Sequence, residues 1–546
     1  MVDDHSKPLA SEPKPVSRRT FLGTAATAAA TGASIMIVPR HVLGQGMTPP
    51  SDMVNIAAVG VTGRGAQVMQ GLMSQNIVAV CDVDFGLLDN RLAQWRNSAF
   101  PITGPAQPAG AGGRGQGAGA GTGTTPAPTW QNFGSSKLQE AANAKWKPVP
   151  QNDLIRRFVT EQIPRMARYR DYREMLEKQK DIDAVMVATP DHMHAPIASA
   201  AMSLGKHVYV EKPLCWSVHE ARHLAKKATD MKVVTQMGNQ GHSQDGARRG
   251  QDYLASGVLG DIREVHIWTN RPYAYWPQGV PRPSSAPGTA NWNSAGLTGR
   301  LANAMAAGNY TVPDSLSWDL FLGVAPFVDY HPVYHPFNWR GWVDWGQGAL
   351  GDMGAHLIDH PVWGLKLGLP TTIETLSTPF NGASYPSATT TYYDFAARQG
   401  MPAVKMVWYD GGLLPAKPEE MGEARLDPGG GVLYIGTKGK MLQDTYGANP
   451  RLLPIAQHNS VGAPREQTPR IPNQAHEMNW VNAIRGREDV SCPFSYAAHL
   501  TEIMLLGIAA LRANTKLQYD GASMRVTNNV AANDFLTRQY RAGYSL

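Results

Sequence analysis

Between residues 53 and 240 the chain alternates short apolar runs with amphipathic stretches. Val54–Val59, Ile77–Cys81, Asp183–Thr189, His207–Val210 and Val233–Gln236 are continuous rather than alternating in hydrophobicity, as expected of strands buried on both faces. Helical periodicity falls between them, from about Ala66, over His194–Leu204 and over Val218–Thr229. Residues 130–180 read as mixed, helix-like sequence. Strands alternating with helices predict a doubly wound parallel sheet.

Beyond about residue 245 the pattern changes. Ile262–Asn270 puts Val265, Ile267 and Thr269 on one face and Glu264, His266, Trp268 and Asn270 on the other. Thr389–Phe395, Ala403–Tyr409 and a hairpin pairing Val432–Ile435 with Lys440–Gln443 across Thr437-Lys438-Gly439 come next without intervening helices. That spacing predicts an α+β region with an open, mostly antiparallel sheet. Residues 275–315 and 411–430 read as loops. Leu500, Ile503, Met504, Ile508 and Leu511 recur at helical spacing, so a late helix is expected to pack back onto a domain.

Composition adjusts this plan in three places. Residues 101–129 hold nine glycines and one charged residue, Arg114, and read as a Gly-rich insertion. The net charge of +6 includes no Lys/Arg run or stripe, which argues against a nucleic-acid partner. Cys81, Cys215 and Cys492 are too few and too scattered for a disulfide framework or a metal site, and read as small buried residues. Ser17-Arg18-Arg19-Thr20-Phe21-Leu22, ahead of a mild Ala/Thr/Gly-rich stretch to Val38, has the form of a twin-arginine export signal. Gly23, Gly32 and the threonines make it a poor membrane span. The expected plan is a leader over 1–46, a dinucleotide-binding domain over 53–240, a substrate domain over 241–515 and an extension over 516–546. The product would be a periplasmic or otherwise exported protein without a membrane anchor after cleavage.

Gly60-Val61-Thr62-Gly63-Arg64-Gly65 directly follows the first strand and opens a helix. Such a turn lets backbone amides approach a pyrophosphate at the positive end of the helix. Thr62 stands where the second glycine of G-x-G-x-x-G belongs, while Gly63 supplies a neighbouring one. The second strand ends at Asp82, 22 positions after Gly60. A carboxylate there suits ribose hydroxyls and repels a 2′-phosphate, which favours NAD over NADP.

Three further segments carry a family resemblance. Ala188-Thr189-Pro190-Asp191-His192-Met193-His194, Gly205–Pro213 ending in Glu211-Lys212-Pro213, and Gly348–His356 containing Asp352 and His356 together resemble the Gfo/Idh/MocA oxidoreductases. The resemblance implies an N-terminal Rossmann sheet and a C-terminal open sheet that holds substrate and mediates a homo-oligomer. It places Lys212 beside the nicotinamide, with Asp352 and His356 completing the catalytic group. Thr189, Pro190, His192, His194, Glu211 and Asn239 become cofactor candidates beside Gly60, Thr62, Gly63, Arg64, Gly65 and Asp82. His192 and His194 read equally well as helix caps.

The residues are chemically apt without the name. Lys212 ends a strand at the carboxyl edge where open α/β sheets bind ligands. Its ammonium suits a developing alkoxide. Asp352 and His356, four apart, share one helix face. His356 is the favoured general base, with Lys212 retained as the other candidate. Trp339, Arg340 and Gln240 are candidates for holding a sugar or polyol.

Two other readings remain. One is a redox-neutral, NAD-dependent glycoside hydrolase on the same fold, although the sequence lacks a His-Gly-Gly-Met-Asp signature. The other is a zinc hydrolase using His356 and His360 at i and i+4, against an assignment of no metal.

Overall fold

The continuous apolar runs are continuous because both faces of their sheet are covered. In the computed structural model, β1 (Asn55–Val59), β2 (Asn76–Cys81), β3 (Ala167–Tyr169), β4 (Ala184–Val187), β5 (His207–Val210) and β6 (Thr235–Met237) form one parallel sheet. Ala57, Val59, Ala79, Cys81, Val185 and Val187 face one core, and Ile56, Ala58, Val80, Ala184 and Met186 face another. The strand order is β3-β2-β1-β4-β5-β6. The chain therefore leaves β1 in opposite directions toward β2 and β4, which opens a crevice at the carboxyl ends of those strands.

Residues 52–101, 130–272, 278–280, 282, 310–398 and 400–546 are described. The export-signal sequence, almost all of the Gly-rich insertion and most of the 275–315 loop lie outside them. Residues Val54–Leu546 form one unit, which contains both sheets.

The second sheet has nine strands: β7 (Ile262–Thr269), β8 (Thr372–Ser377), β9 (Thr389–Phe395), β10 (Val404–Tyr409), β11 (Gly430–Gly436), β12 (Lys440–Asp444), β13 (Arg451–Leu453), β14 (Leu517–Asp520) and β15 (Arg525–Val526). Their order is β13-β12-β11-β7-β10-β9-β8-β14-β15, and only β7 and β10 run parallel. The expected mostly antiparallel sheet is therefore present. The segment read as an extension from residue 516 supplies its last two strands.

One face of this sheet, including Val265, Ile267, Tyr393, Met406, Trp408 and Tyr434, shares a core with the helix Phe494–Ala513. That helix is long and apolar enough to cross a membrane, yet it is buried inside the protein. On the other face Trp268, Leu433, Leu442 and Leu453 pack under Met421 and Leu426 of the 411–430 loop and under Trp130. Much of that sheet face is thus covered by the chain itself.

Two details depart from the linear plan. Ala167–Tyr169, within the stretch read as helix-like, is a strand. The helix His476–Ile484 sends Met478, Trp480 and Val481 into the core beneath the first sheet, so packing does not divide at residue 240. All three cysteines are buried and free, as expected, and burial pushes each thiol up.

Candidate active site

The register of the first sheet brings its strand ends to one level. Val59 pairs with both Cys81 and Val187, and Val187 pairs with Val210. Gly60, Asp82, Thr189 and Lys212 consequently emerge around one cavity of about 350 Å³, closed from the other side by Asp352, Met353 and His356.

At the glycine turn the backbone leaves no choice of residue. Gly60 has φ +75°, and a Cβ there would lie 2.7 Å from the carbonyl carbon and oxygen of Ala188. A Cβ on Gly65 would fall 1.8 Å from the Gly60 oxygen, so Gly65 sets the close packing of helix on strand. Gly65 does this from behind the cavity wall and does not line the cavity. Thr62, the departure from the motif, is extended (φ −104°, ψ 173°) and tolerates its side chain. It stands at the N-cap of the helix Gly63–Leu72 without capping it through its hydroxyl. An uncapped first turn facing a cavity suits a phosphate anion.

Asp82 is fixed beside this turn. One carboxylate oxygen accepts from the Val61 amide (3.0 Å) and the other from the Asp84 amide (3.1 Å). Burial pushes its pKa up to about 6 against those bonds. Arg64 donates to Glu211 (3.0 Å) and to Gln67 (2.9 Å), tying the glycine turn to the Glu-Lys-Pro turn. Despite burial, the neighbouring Glu211 carboxylate raises the Arg64 pKa.

At the opposite end Lys212 donates to the Asp352 carboxylate (2.7 Å) and to the Asp352 carbonyl (2.6 Å). Arg340 and Arg271 each approach the same carboxylate at 3.8 Å. Although burial opposes it, this ring of cations, Lys212 foremost, holds Asp352 well below the usual carboxylate range. His356 is one turn on along the helix Gly348–Leu357, its ring 4.7 Å from that of Tyr446. Burial, reinforced by Lys212, pushes its pKa well down, so its imidazole is neutral.

Among the described residues, His356 Nδ1, Thr189 Oγ1 and Gln240 Oε1 are buried without a hydrogen-bond partner, and all three residues line the cavity. Cavity-lining residues that each leave a buried polar atom unpaired fit a bound polar ligand. With the uncapped helix start and Asp82, they fit a dinucleotide.

Gly60, Thr62, Gly63, Arg64, Asp82, Thr189, Pro190, Glu211, Lys212, Gln240, Trp339, Arg340, Asp352 and His356 all line this cavity. His192, His194 and Asn239 do not line the cavity, and their side chains meet other partners. His192 donates through Nε2 to the Phe321 carbonyl (2.9 Å). The two ring nitrogens of His194 lie 2.7 Å from the Pro213 carbonyl and 2.8 Å from the Thr189 carbonyl, and the one that carries the proton donates, bracing the Lys212 turn from behind. Burial pushes these two imidazoles down to about 3 and about 4. Asn239 donates to Asp359 (3.1 Å), whose carboxylate also binds His242 and Tyr496.

Further residues line the cavity. Arg271 lies just beyond β7. His335 binds Asp84 (3.0 Å), which itself caps the helix Phe85–Ala99. Tyr544 arrives from the segment after β15, where Arg541 donates to the Gly323 carbonyl (2.9 Å) and Arg173 lies 4.6 Å over the Tyr544 ring. Asp191 is buried behind the wall, its pKa pushed up to about 7 by desolvation while Lys212 and Arg340 pull it down. His360 is buried with neither ring nitrogen partnered and does not line the cavity. Among the described residues no three His, Cys, Asp or Glu side chains are placed to share a metal ion, so the two-histidine zinc reading lacks a third ligand.

A parallel sheet with a glycine turn and a ribose-type carboxylate, facing a lysine–aspartate–histidine group, defines a dinucleotide-binding protein of the oxidoreductase type. Residues 121–239 match the family described as "Oxidoreductase family, NAD-binding Rossmann fold", and 293–368 match its "C-terminal alpha/beta domain". Over those residues the chain is similar to the Gfo/Idh/MocA family. It is similar to the levoglucosan dehydrogenase of Pseudarthrobacter phenanthrenivorans, with 32% identity over 92 residues, 17% of this chain and 23% of that protein. It is also similar to the 1,5-anhydro-D-fructose reductase of Ensifer adhaerens (36%, 16% of this chain, 26% of that protein). A third relative is a glycosyl hydrolase family 109 protein of Shewanella pealeana (36%, 15% of this chain, 18% of that protein). The chain thus matches about a quarter of these relatives or less. A solved levoglucosan dehydrogenase in complex with NADH and L-sorbose has 14% identity, covers 85% of this chain and 98% of that one, and has a TM-score of 0.44.

Proposed function

We propose that the protein is an NAD-dependent oxidoreductase that moves a hydride between its cofactor and a hydroxyl-bearing carbon of a sugar, glycoside or polyol. The observation that carries this reading is one cavity lined both by Gly60, Thr62, Gly63, Arg64 and Asp82 and by Lys212, Asp352 and His356. When bound, NAD supplies the hydride acceptor at the carboxyl edge of β5. Gly60, Thr62, Gly63 and Arg64 would surround its pyrophosphate, and Asp82 would accept from ribose hydroxyls.

The chain's own groups then do the acid–base work. Asp352 fixes the Lys212 ammonium by two hydrogen bonds. That ammonium orients the substrate hydroxyl and stabilises the alkoxide that develops on its oxygen. His356, neutral and with Nδ1 unpartnered, accepts the hydroxyl proton. The walls of Trp339, Phe337 and Tyr446 shield these steps from bulk water.

The twin-arginine pattern supports export with the cofactor already bound, into a compartment where NAD is scarce. A subunit contact through the second sheet, if formed, is left with the face of β8, β9 and β10, because the 411–430 loop covers the other half. The relative in glycosyl hydrolase family 109 favours one second reading, in which the substrate is oxidised, loses its aglycone and is reduced again on the same cofactor.

The test is to denature purified protein, assay released NAD(H), and supply polyols, sugars and aryl glycosides to the native form. Accumulating reduced cofactor supports the dehydrogenase. Aglycone release without net reduction supports the hydrolase. Lys212→Ala protein that keeps full activity refutes the site.

A further inference from the structure

His335 lines the cavity and, like Thr189, Gln240 and His356, leaves a buried polar atom unpaired, in its case Nδ1. It is carried there by a segment laced to the end of β2. The Ser317 amide donates to the Val83 carbonyl (2.8 Å), and the Phe85 amide donates to the Ser315 carbonyl (3.0 Å). Arg170 donates through Nη1 to both of those carbonyls, at 3.2 and 2.7 Å, which ties the same junction from a third side. The ring of Phe321 meets the His335 ring edge-on, with centres 5.1 Å apart.

The other ring nitrogen has a fixed role. His335 Nε2 lies 3.0 Å from the Asp84 carboxylate. Against burial, the hydrogen bonds from His335 and Ser315 hold Asp84 down to about 2, so it is ionised and can only accept. Nε2 therefore carries the proton and donates. In the neutral ring Nδ1 is then a bare acceptor, whose partner has to be a hydroxyl or an amino group. The Asp84 amide donates in turn to Asp82 (3.1 Å), which places His335 one residue's hydrogen bonds away from the ribose-type carboxylate. Two acceptors side by side match the two neighbouring hydroxyls of a ribose, each with one proton to donate.

Resting on the proposed oxidoreductase function, we infer that His335 is a cofactor-binding residue whose Nδ1 accepts a hydrogen bond from one hydroxyl of the adenosine ribose, beside Asp82. Asp84 is its positioning residue, because the carboxylate fixes the proton on Nε2 and the ring in place. A buried acceptor left bare by the protein is satisfied only when the dinucleotide is bound, which adds to retention of the cofactor.

The experiment is a competition. NAD-loaded protein is equilibrated with excess 2′-deoxy-NAD or 3′-deoxy-NAD, each lacking one hydroxyl, and the NAD displaced is measured chromatographically. The parent should disfavour both analogues, since Asp82 also accepts from the ribose. His335→Phe keeps the edge-on contact with Phe321 and removes the acceptor. It should reduce discrimination against one analogue about tenfold and leave discrimination against the other within about threefold. His335→Gln, whose amide oxygen can accept, should keep part of the lost discrimination and serves as the probe where circular dichroism shows His335→Phe misfolded. A merely structural histidine would weaken NAD and both analogues alike. Unchanged discrimination in either folded variant therefore overturns the inference and leaves the oxidoreductase reading intact. Protein that neither carries nor binds a dinucleotide defeats that reading, and this inference with it.

Discussion

Asp352→Asn removes one negative charge from the centre of the site while keeping its shape. The carboxylate it replaces meets Lys212 at 2.7 Å and two guanidinium groups at 3.8 Å, with only 12% of the side chain exposed. At an effective dielectric of about 20, a contact of roughly 4 Å between unit charges is worth about 4 kcal/mol before desolvation. Removing one partner of a buried ion pair costs about 3–5 kcal/mol, because the remaining charges lose their counter-ion. The asparagine oxygen can still accept from Lys212, so the lower end, about 3 kcal/mol, is expected for stability. Urea unfolding followed by tryptophan fluorescence measures it. Turnover should fall further than affinity. Lys212 would lose the group that aims it, and a misplaced oxyanion donor costs about 10²–10³ in kcat. Dinucleotide affinity, set at the other end of the cavity, should change by less than about threefold. A variant as stable as the parent, or one retaining turnover within about threefold, would refute the claim that Asp352 organises the cations.

The same geometry sets three other outcomes. Gly65→Ala puts a methyl 1.8 Å from the Gly60 oxygen, so the turn must shift, and dinucleotide titration should show binding lost with a fall in melting temperature. Asp82 has a folded-state pKa raised to about 6, so its ionisation costs stability as pH rises from about 4 to about 6, and protonating it below 6 removes the acceptor for ribose. NAD affinity should therefore weaken up to about tenfold per pH unit below pH 6, and Asp82→Asn should flatten that dependence. Tyr544→Ala opens the wall that the 537–546 segment lays over the dinucleotide end, and NAD release followed by fluorescence should be about tenfold faster. An unchanged release rate would show that this segment does not retain the cofactor.

The residues that could be read from the sequence are those whose chemistry is local. A continuous apolar run, a turn that permits only glycine at Gly60 and a carboxylate at the end of the next strand each depend on a few neighbouring residues. Lys212, Asp352 and His356 were legible because each lies within a short segment of recognisable pattern. The open, mostly antiparallel second sheet was legible from alternation in β7 and from the later strands following one another without intervening helices. The short strands were not: β3 has three residues and β15 two, too few to show a period.

Tertiary structure decided what faces the cavity. His192 and His194 sit in the same segment as Thr189 and Pro190, yet their rings turn to the carbonyls of Phe321, Pro213 and Thr189 rather than to the crevice. Tyr544 and Arg271 join the site across separations that no local pattern encodes. Trp480 carries part of the second half of the chain into the core of the first. The physical reason is common to all of these. Periodicity and turn chemistry are set by neighbours in the chain, whereas burial, charge balance and the choice of hydrogen-bond partner are set by neighbours in space. The sequence by itself determined a glycine turn, a carboxylate and a lysine–aspartate–histidine group. Folding placed them around one cavity and brought Lys212, Arg271 and Arg340 to the Asp352 carboxylate.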